Sequence, residues 1–85
     1  MKYFTYILQS EIDGSFYIGA TSDTARRLLE HNFGHSPYTS KKRPWKIIYT
    51  EEFDNKTEAI KREKFLKKQR NKDFYLKLSN NLKNA

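Results

Sequence analysis

The sequence contains no cysteine. That removes disulfide scaffolds and thiolate metal sites, and it suits a reducing compartment. No apolar run approaches the roughly 20 residues that span a bilayer. The opening stretch, MKYFTYILQSEIDG, has one lysine but lacks the apolar core and small-residue cleavage site of a secretory leader. It reads as a strand that starts at once, and the expected location is cytoplasmic. The missing motifs are equally restrictive. There is no HExxH, no paired-aspartate motif, no EF-hand loop, no GxxxxGK[ST] and no Ser-His-Asp arrangement.

What remains is a short, basic, aromatic chain. Its 85 residues predict one domain over residues 1–80, followed by a frayed tail over 81–85. A domain this small buries only about 60% of its unfolded surface. Six Tyr, six Phe and one Trp must therefore carry much of the core. The net charge of +7 is unevenly placed. Residues 1–40 hold three Lys/Arg and four Asp/Glu (3 − 4 = −1), and residues 41–85 hold fourteen and six (14 − 6 = +8). A basic half fits a polyanion such as nucleic acid, or serves as a solubilising surface.

Lys2–Gln9 and Phe16–Ala20 read as strands joined by a turn at Asp13-Gly14. Gly19 reads as the point where the backbone turns toward a helix. Thr21, Ser22 or Asp23 caps that helix, which runs to about Asn32. At about 100° per residue, Ala25, Leu28, Leu29 and Asn32 form its core face, and Arg27 and His31 stand together on the other. Phe33–Pro44 is a loop, with or without one helical turn, carrying Lys41, Lys42 and Arg43. Trp45–Phe53 reads as a third strand. Asp54 or Asn55 caps a helix from about Lys56 to Lys68, and a last helix spans about Lys72–Asn80.

Glu63 carries the most information of any single position. Ala59, Ile60 and Leu66 lie at i−4, i−3 and i+3, so the carboxylate sits in an apolar stripe. Such a group needs an arginine, a set of hydrogen bonds or a metal. It is either a structural ion pair at the core edge or a functional ligand. Arg27 and His31 are either a solvated helix face or a phosphate clamp with a proton relay. Tyr6 and Tyr17 are either core packing or site residues whose hydroxyls need polar partners.

The ordered set of these residues resembles the GIY-YIG nuclease domain, and within it the short stand-alone bacterial proteins. Phe4-Thr5-Tyr6 matches the first family tripeptide in its tyrosine alone, and Tyr17-Ile18-Gly19 matches the second literally. The two tyrosines are eleven residues apart, Arg27 follows Gly19 by eight, and His31 follows one turn later. Ala59-Ile60-Lys61-Arg62-Glu63 matches the pattern around the family glutamate. Pro37-Tyr38-Thr39 and Pro44-Trp45 also look like the stand-alone group. Gln69 stands where relatives often carry tryptophan, and Asn71 is the candidate for a further family asparagine.

The resemblance implies an α+β fold, a small three-stranded antiparallel sheet flanked by helices. It implies a metal-dependent endonuclease acting on DNA, directed by structure rather than sequence, in repair or recombination. The alternative is a nucleic-acid-binding module of the same fold with weak or lost catalysis, and a third class is a basic adaptor for an acidic protein. Tyr6, Tyr17, Arg27, His31 and Glu63 are the implied catalytic set. Glu63 would hold one Mg²⁺ or Mn²⁺, with Tyr17 or Tyr6 as base or positioner of the attacking water. A tyrosine base needs its pKa lowered from about 10 by some units. Lys41, Lys42, Arg43, Lys67 and Lys68 are expected to contact the nucleic-acid backbone. With no recognition module in the sequence, a protein partner could supply specificity.

Overall fold

The computed structural model describes residues 2–34 and 37–84, the last four by backbone alone. Its elements are β1 (Tyr3–Ser10), β2 (Phe16–Thr21), α1 (Thr24–Asn32), α2 (Pro37–Ser40), β3 (Trp45–Phe53), α3 (Lys56–Gln69) and α4 (Lys72–Asn84). The three strands form one antiparallel sheet in the order β2-β1-β3. The expected α+β class is the observed one.

The central strand explains the layering. Thr5, Tyr6, Ile7 and Leu8 are all buried, so β1 is covered on both faces. Strand side chains alternate, which divides the core in two. Tyr6 and Leu8 join Trp45 on one face, with Tyr17, Leu28 and Ile47 packed around them. Ile7 and Ile18 join Leu66 and Tyr75 on the other. Thus α1 covers the first face, and α3 with α4 covers the second. The Thr5 hydroxyl donates to the Ala59 carbonyl at 2.7 Å and ties α3 to the sheet.

Local chemistry sets most boundaries. Gly14 takes φ +76° in the β1–β2 turn, a conformation that a glycine adopts without steric cost. Asp23 caps α1 by accepting from the Arg26 amide at 3.0 Å, and Asn55 caps α3 by accepting from the Glu58 amide at 2.9 Å. The Phe33–Pro44 connection contains one helical turn, α2. Gly19 does not turn the chain. It pairs with Tyr6 in the middle of β2, and the strand continues to Thr21.

The largest departure from the sequence reading is the rotation of α1. Leu29 is 56% exposed and Ala25 is exposed, whereas His31 is 1% exposed and Arg27 half-buried. The buried stripe is therefore Arg27, Leu28, His31 and Asn32. It is displaced from the expected Ala25-Leu28-Leu29-Asn32 stripe by roughly 80°. Burying His31 is cheap because each ring nitrogen meets a hydroxyl. Asn32 also contributes from this face, because its side-chain oxygen accepts from the Trp45 amide at 2.6 Å and its amide donates to the Trp45 carbonyl at 3.1 Å.

This orientation is testable by urea unfolding. Leu29→Gln should shift stability by no more than about 0.5 kcal/mol, as exposed positions do. Leu66→Ala removes a side chain with no exposed surface and should cost about 2–5 kcal/mol. A Leu29→Gln cost in the latter range would restore the original stripe.

Candidate active site

The site is built around the Tyr6 ring. It projects from β1 across its neighbour β2, over Gly19. A Cβ at position 19 would lie 2.6 Å from Tyr6 Cζ and closer still to the hydroxyl oxygen. Glycine is required there for space, because the backbone is ordinary strand. The sequence Tyr17-Ile18-Gly19 therefore leaves room for a tyrosine on the adjacent strand.

The Tyr6 hydroxyl lies 3.3 Å from His31 Nε2, and His31 Nδ1 lies 2.9 Å from Thr39 Oγ1. Thr39 is fully buried, and its carbonyl also accepts from Trp45 Nε1 at 2.8 Å. Tyr17 closes the other side. Its ring centroid is 4.7 Å from His31 in an edge arrangement and 6.5 Å from Tyr6. Arg27 Nη1 donates to Glu30 Oε1 at 2.8 Å. The guanidinium holds its proton more firmly than usual, chiefly because of Glu30 and then through the Tyr6 hydroxyl beside it.

Burial governs the titration of the two central groups. It pushes the Tyr6 phenol up to about 12; Arg27 opposes the rise, and the Tyr17 and Glu63 charges add to it. Burial likewise lowers His31 to about 4, helped by repulsion from Arg27. At neutral pH both are uncharged. At Tyr6 desolvation outweighs the nearby arginine, so Arg27 alone does not lower the phenol.

Glu63 projects from α3, flanked by buried Ala59 and Leu66 as the spacing predicts. Its side chain is 19% exposed, and Oε2 accepts from Lys67 Nζ at 2.6 Å. Its partner Lys67 lines the same pocket as Tyr17, which places this part of α3 beside the β1–α1 cluster. Among the described residues no three His, Cys, Asp or Glu side chains converge on one point. One carboxylate fits Mg²⁺ or Mn²⁺, hard ions that keep most of their waters and take ligands from phosphate. It does not suit zinc, which takes several protein ligands.

Residues 2–78 match the model of the GIY-YIG catalytic domain. The chain belongs to the GIY-YIG family. It is 44% identical over 78 residues to a UPF0213 protein of Listeria welshimeri, covering 88% of this chain and 86% of the relative. It is 44% identical over 81 residues to a UPF0213 protein of Enterococcus faecalis, covering 89% and 91%. Among solved structures it is similar to the solution NMR structure of the UPF0213 protein BH0048 from Bacillus halodurans. That match is 37% identical, has a TM-score of 0.48, and covers 79% of this chain and 71% of the other. GIY-YIG is a nuclease family whose members generally use a divalent metal. Among the described residues no helix is long and apolar enough to cross a membrane.

Of the residues expected at the GIY-YIG site, Tyr6, Tyr17, Arg27 and His31 lie side by side, with Glu63 at their edge. Arg27 and His31 do not form a solvated face. Of the basic residues, Lys41, Arg43, Lys67 and Lys68 are exposed, and Lys42 and Lys67 are engaged in ion pairs. Lys42 bonds Ser15 Oγ at 3.0 Å and lies 3.4 Å from Asp13 Oδ2. Asn71 uses its side-chain oxygen to cap α4, accepting from the Phe74 amide at 3.2 Å. Glu30 and Thr39 were not picked out as partners of Arg27 and His31. Glu30 was legible at i+3 from Arg27, whereas nothing local signals that the loop returns Thr39 to the helix.

Two outcomes follow. Gly19→Ala should displace the Tyr6 ring and cost about 1–3 kcal/mol, as overpacking does. An unchanged unfolding midpoint would show that the ring has room. Because His31 is held at about 4 when folded, against about 6.5 unfolded, the unfolded chain takes up the proton first as pH falls. The corresponding stability is complete above about pH 6.5 and is lost toward pH 4. His31→Gln should flatten that decline, and an NMR titration placing His31 at or above 6.5 would contradict its burial as a neutral group.

Proposed function

We propose that this chain is a metal-dependent endonuclease that hydrolyses phosphodiester bonds in DNA, guided by structure rather than base sequence, and serving repair or recombination. The observation that carries this is the meeting of a buried tyrosine–histidine pair, an anchored arginine and a lone carboxylate from three separate elements. A purely structural core would gain more from an apolar side chain at position 63.

A divalent ion on Glu63 would neutralise phosphate charge and ease deprotonation of water. Glu63 must exchange Lys67 for that ion. Arg27, oriented by Glu30, presents its remaining donors to phosphate oxygens, where negative charge builds up in the transition state. Tyr6 keeps its proton at neutral pH, so it serves as a relay rather than as a free tyrosinate. Its oxygen takes the proton of the attacking water while its own proton passes to Nε2 of neutral His31. Thr39 accepts from Nδ1–H in that tautomer and leaves Nε2 open. Tyr17 limits the tilt of the imidazole. Lys41, Lys42, Arg43, Lys67 and Lys68 supply backbone contacts whose strength falls with salt.

The deciding experiment is cleavage of single-stranded, duplex and branched DNA in Mg²⁺ or Mn²⁺. Wild type should cut, Glu63→Ala should not, and Arg27→Ala should lower kcat by about 100-fold or more. Cutting by Glu63→Ala at the wild-type rate would remove Glu63 from the mechanism. Salt-sensitive binding without cutting would instead identify a nucleic-acid-binding module.

A further inference from the structure

Beside the Tyr6–His31 cluster lies a pocket of about 280 Å³, lined by Phe16, Tyr17, Ile18, Tyr38, Lys67 and Tyr75. Four of its six lining residues are aromatic. Its floor is fixed: the Phe16 and Tyr75 rings are 5.2 Å apart, and the Tyr75 hydroxyl donates to the Leu66 carbonyl at 2.7 Å. Its outer wall is Tyr38, which is 57% exposed. The Tyr38 ring leans on Tyr17 at 6.0 Å with 37° between the planes, and Lys42 Nζ lies 5.7 Å from its centroid. Typical small-molecule pockets measure about 300–1,000 Å³. This one therefore fits a single flat ring system.

Two lining residues connect the pocket to the candidate active site. Tyr17 lies against His31, and Lys67 is bonded to Glu63. A ring held here lies against Tyr17 and Lys67, one touching His31 and the other Glu63. The aromatic walls suit a ring, and Lys42 and Lys67, each with ammonium donors left beyond its pair with Asp13 or Glu63, suit an anion joined to it. That combination is a nucleotide in a polynucleotide, whereas an aromatic peptide side chain would bring no charge for the lysines.

We infer that this pocket stacks one unpaired nucleobase beside the scissile phosphate, so that the preferred substrate is single-stranded or locally unpaired. The inference rests on the nuclease reading and names its substrate class. Bases in an intact duplex are stacked on their neighbours and cannot enter. Stacking on tyrosine tolerates any base, because every base offers a π face. Selection then comes from strandedness.

The test is fluorescence anisotropy without divalent metal, so that binding is read in the absence of cleavage. The probes are a single-stranded oligonucleotide, the blunt duplex of the same sequence, and the single strand with abasic sites. Wild type should favour the single strand over both. Tyr38→Ala should lose about tenfold on the single strand and little on the duplex. Tyr38→Phe, which keeps the ring, should bind as wild type does. Equal affinity of wild type for single strand and duplex, or no loss in Tyr38→Ala, overturns the inference. So does equal loss in Tyr38→Ala and Tyr38→Phe, which would assign the effect to the hydroxyl. Duplex cleavage in Mg²⁺ that ignores Tyr38→Ala would sink the pocket and leave the nuclease reading standing. No binding to any probe and no cleavage would overturn both.

Discussion

The hydrogen bond between the buried Tyr6 hydroxyl and His31 is the constraint on which the site depends. A phenol deep in a small domain must find a polar partner, or the cost of removing it from water is unmet. The partner comes from α1, and it fixes how that helix is turned. Once His31 faces inward, Thr39 must meet its other nitrogen, and α2 is drawn in behind it. Trp45 then donates to the Thr39 carbonyl, which joins the start of β3 to the same network. Among the described residues no buried side-chain nitrogen or oxygen lacks a partner. A polar cluster of this kind is tolerable only when satisfied throughout.

Burial also decides the chemistry of the cluster. The same desolvation keeps tyrosine protonated and histidine neutral. In the proposed relay Tyr6 stays neutral while His31 takes up a positive charge, which the phosphate would offset. Charge is kept at the margins, on Arg27 with Glu30 and on Glu63 with Lys67. Arginine suits the first place because its several donors leave some unused while it holds Glu30. Lysine holds the second through a single flexible ammonium group.

Much of the fold was legible in the sequence. The β1–β2 hairpin followed from alternation and Asp13-Gly14, and β3 from Trp45-Lys46-Ile47-Ile48-Tyr49 and its continuation. The start of α3 was marked by Asp54-Asn55, of which the structure uses Asn55. Of the candidate site, the spacing of Tyr6, Tyr17, Gly19, Arg27, His31 and Glu63 pointed to the GIY-YIG family, and the apolar neighbours of Glu63 are those that the helical period places beside it. The α1 face was misread because Leu29 and Ala25 are more apolar than His31 and Arg27. Periodicity ranks side chains by transfer from water and takes no account of hydrogen bonds awaiting them in the core.

The sequence by itself determined the strands, the neighbourhood of each helix cap, the family and the residues proposed to carry the chemistry. These rest on local conformational preference and on spacing along the chain. Only the tertiary structure decided the rotation of α1, the steric reason for Gly19, the Thr39 partnership, the opposed pKa shifts and the aromatic pocket behind Tyr38. Each of these depends on which groups lose water together and on what they then meet across the fold. That is a property of contacts between distant segments, and no local pattern encodes it.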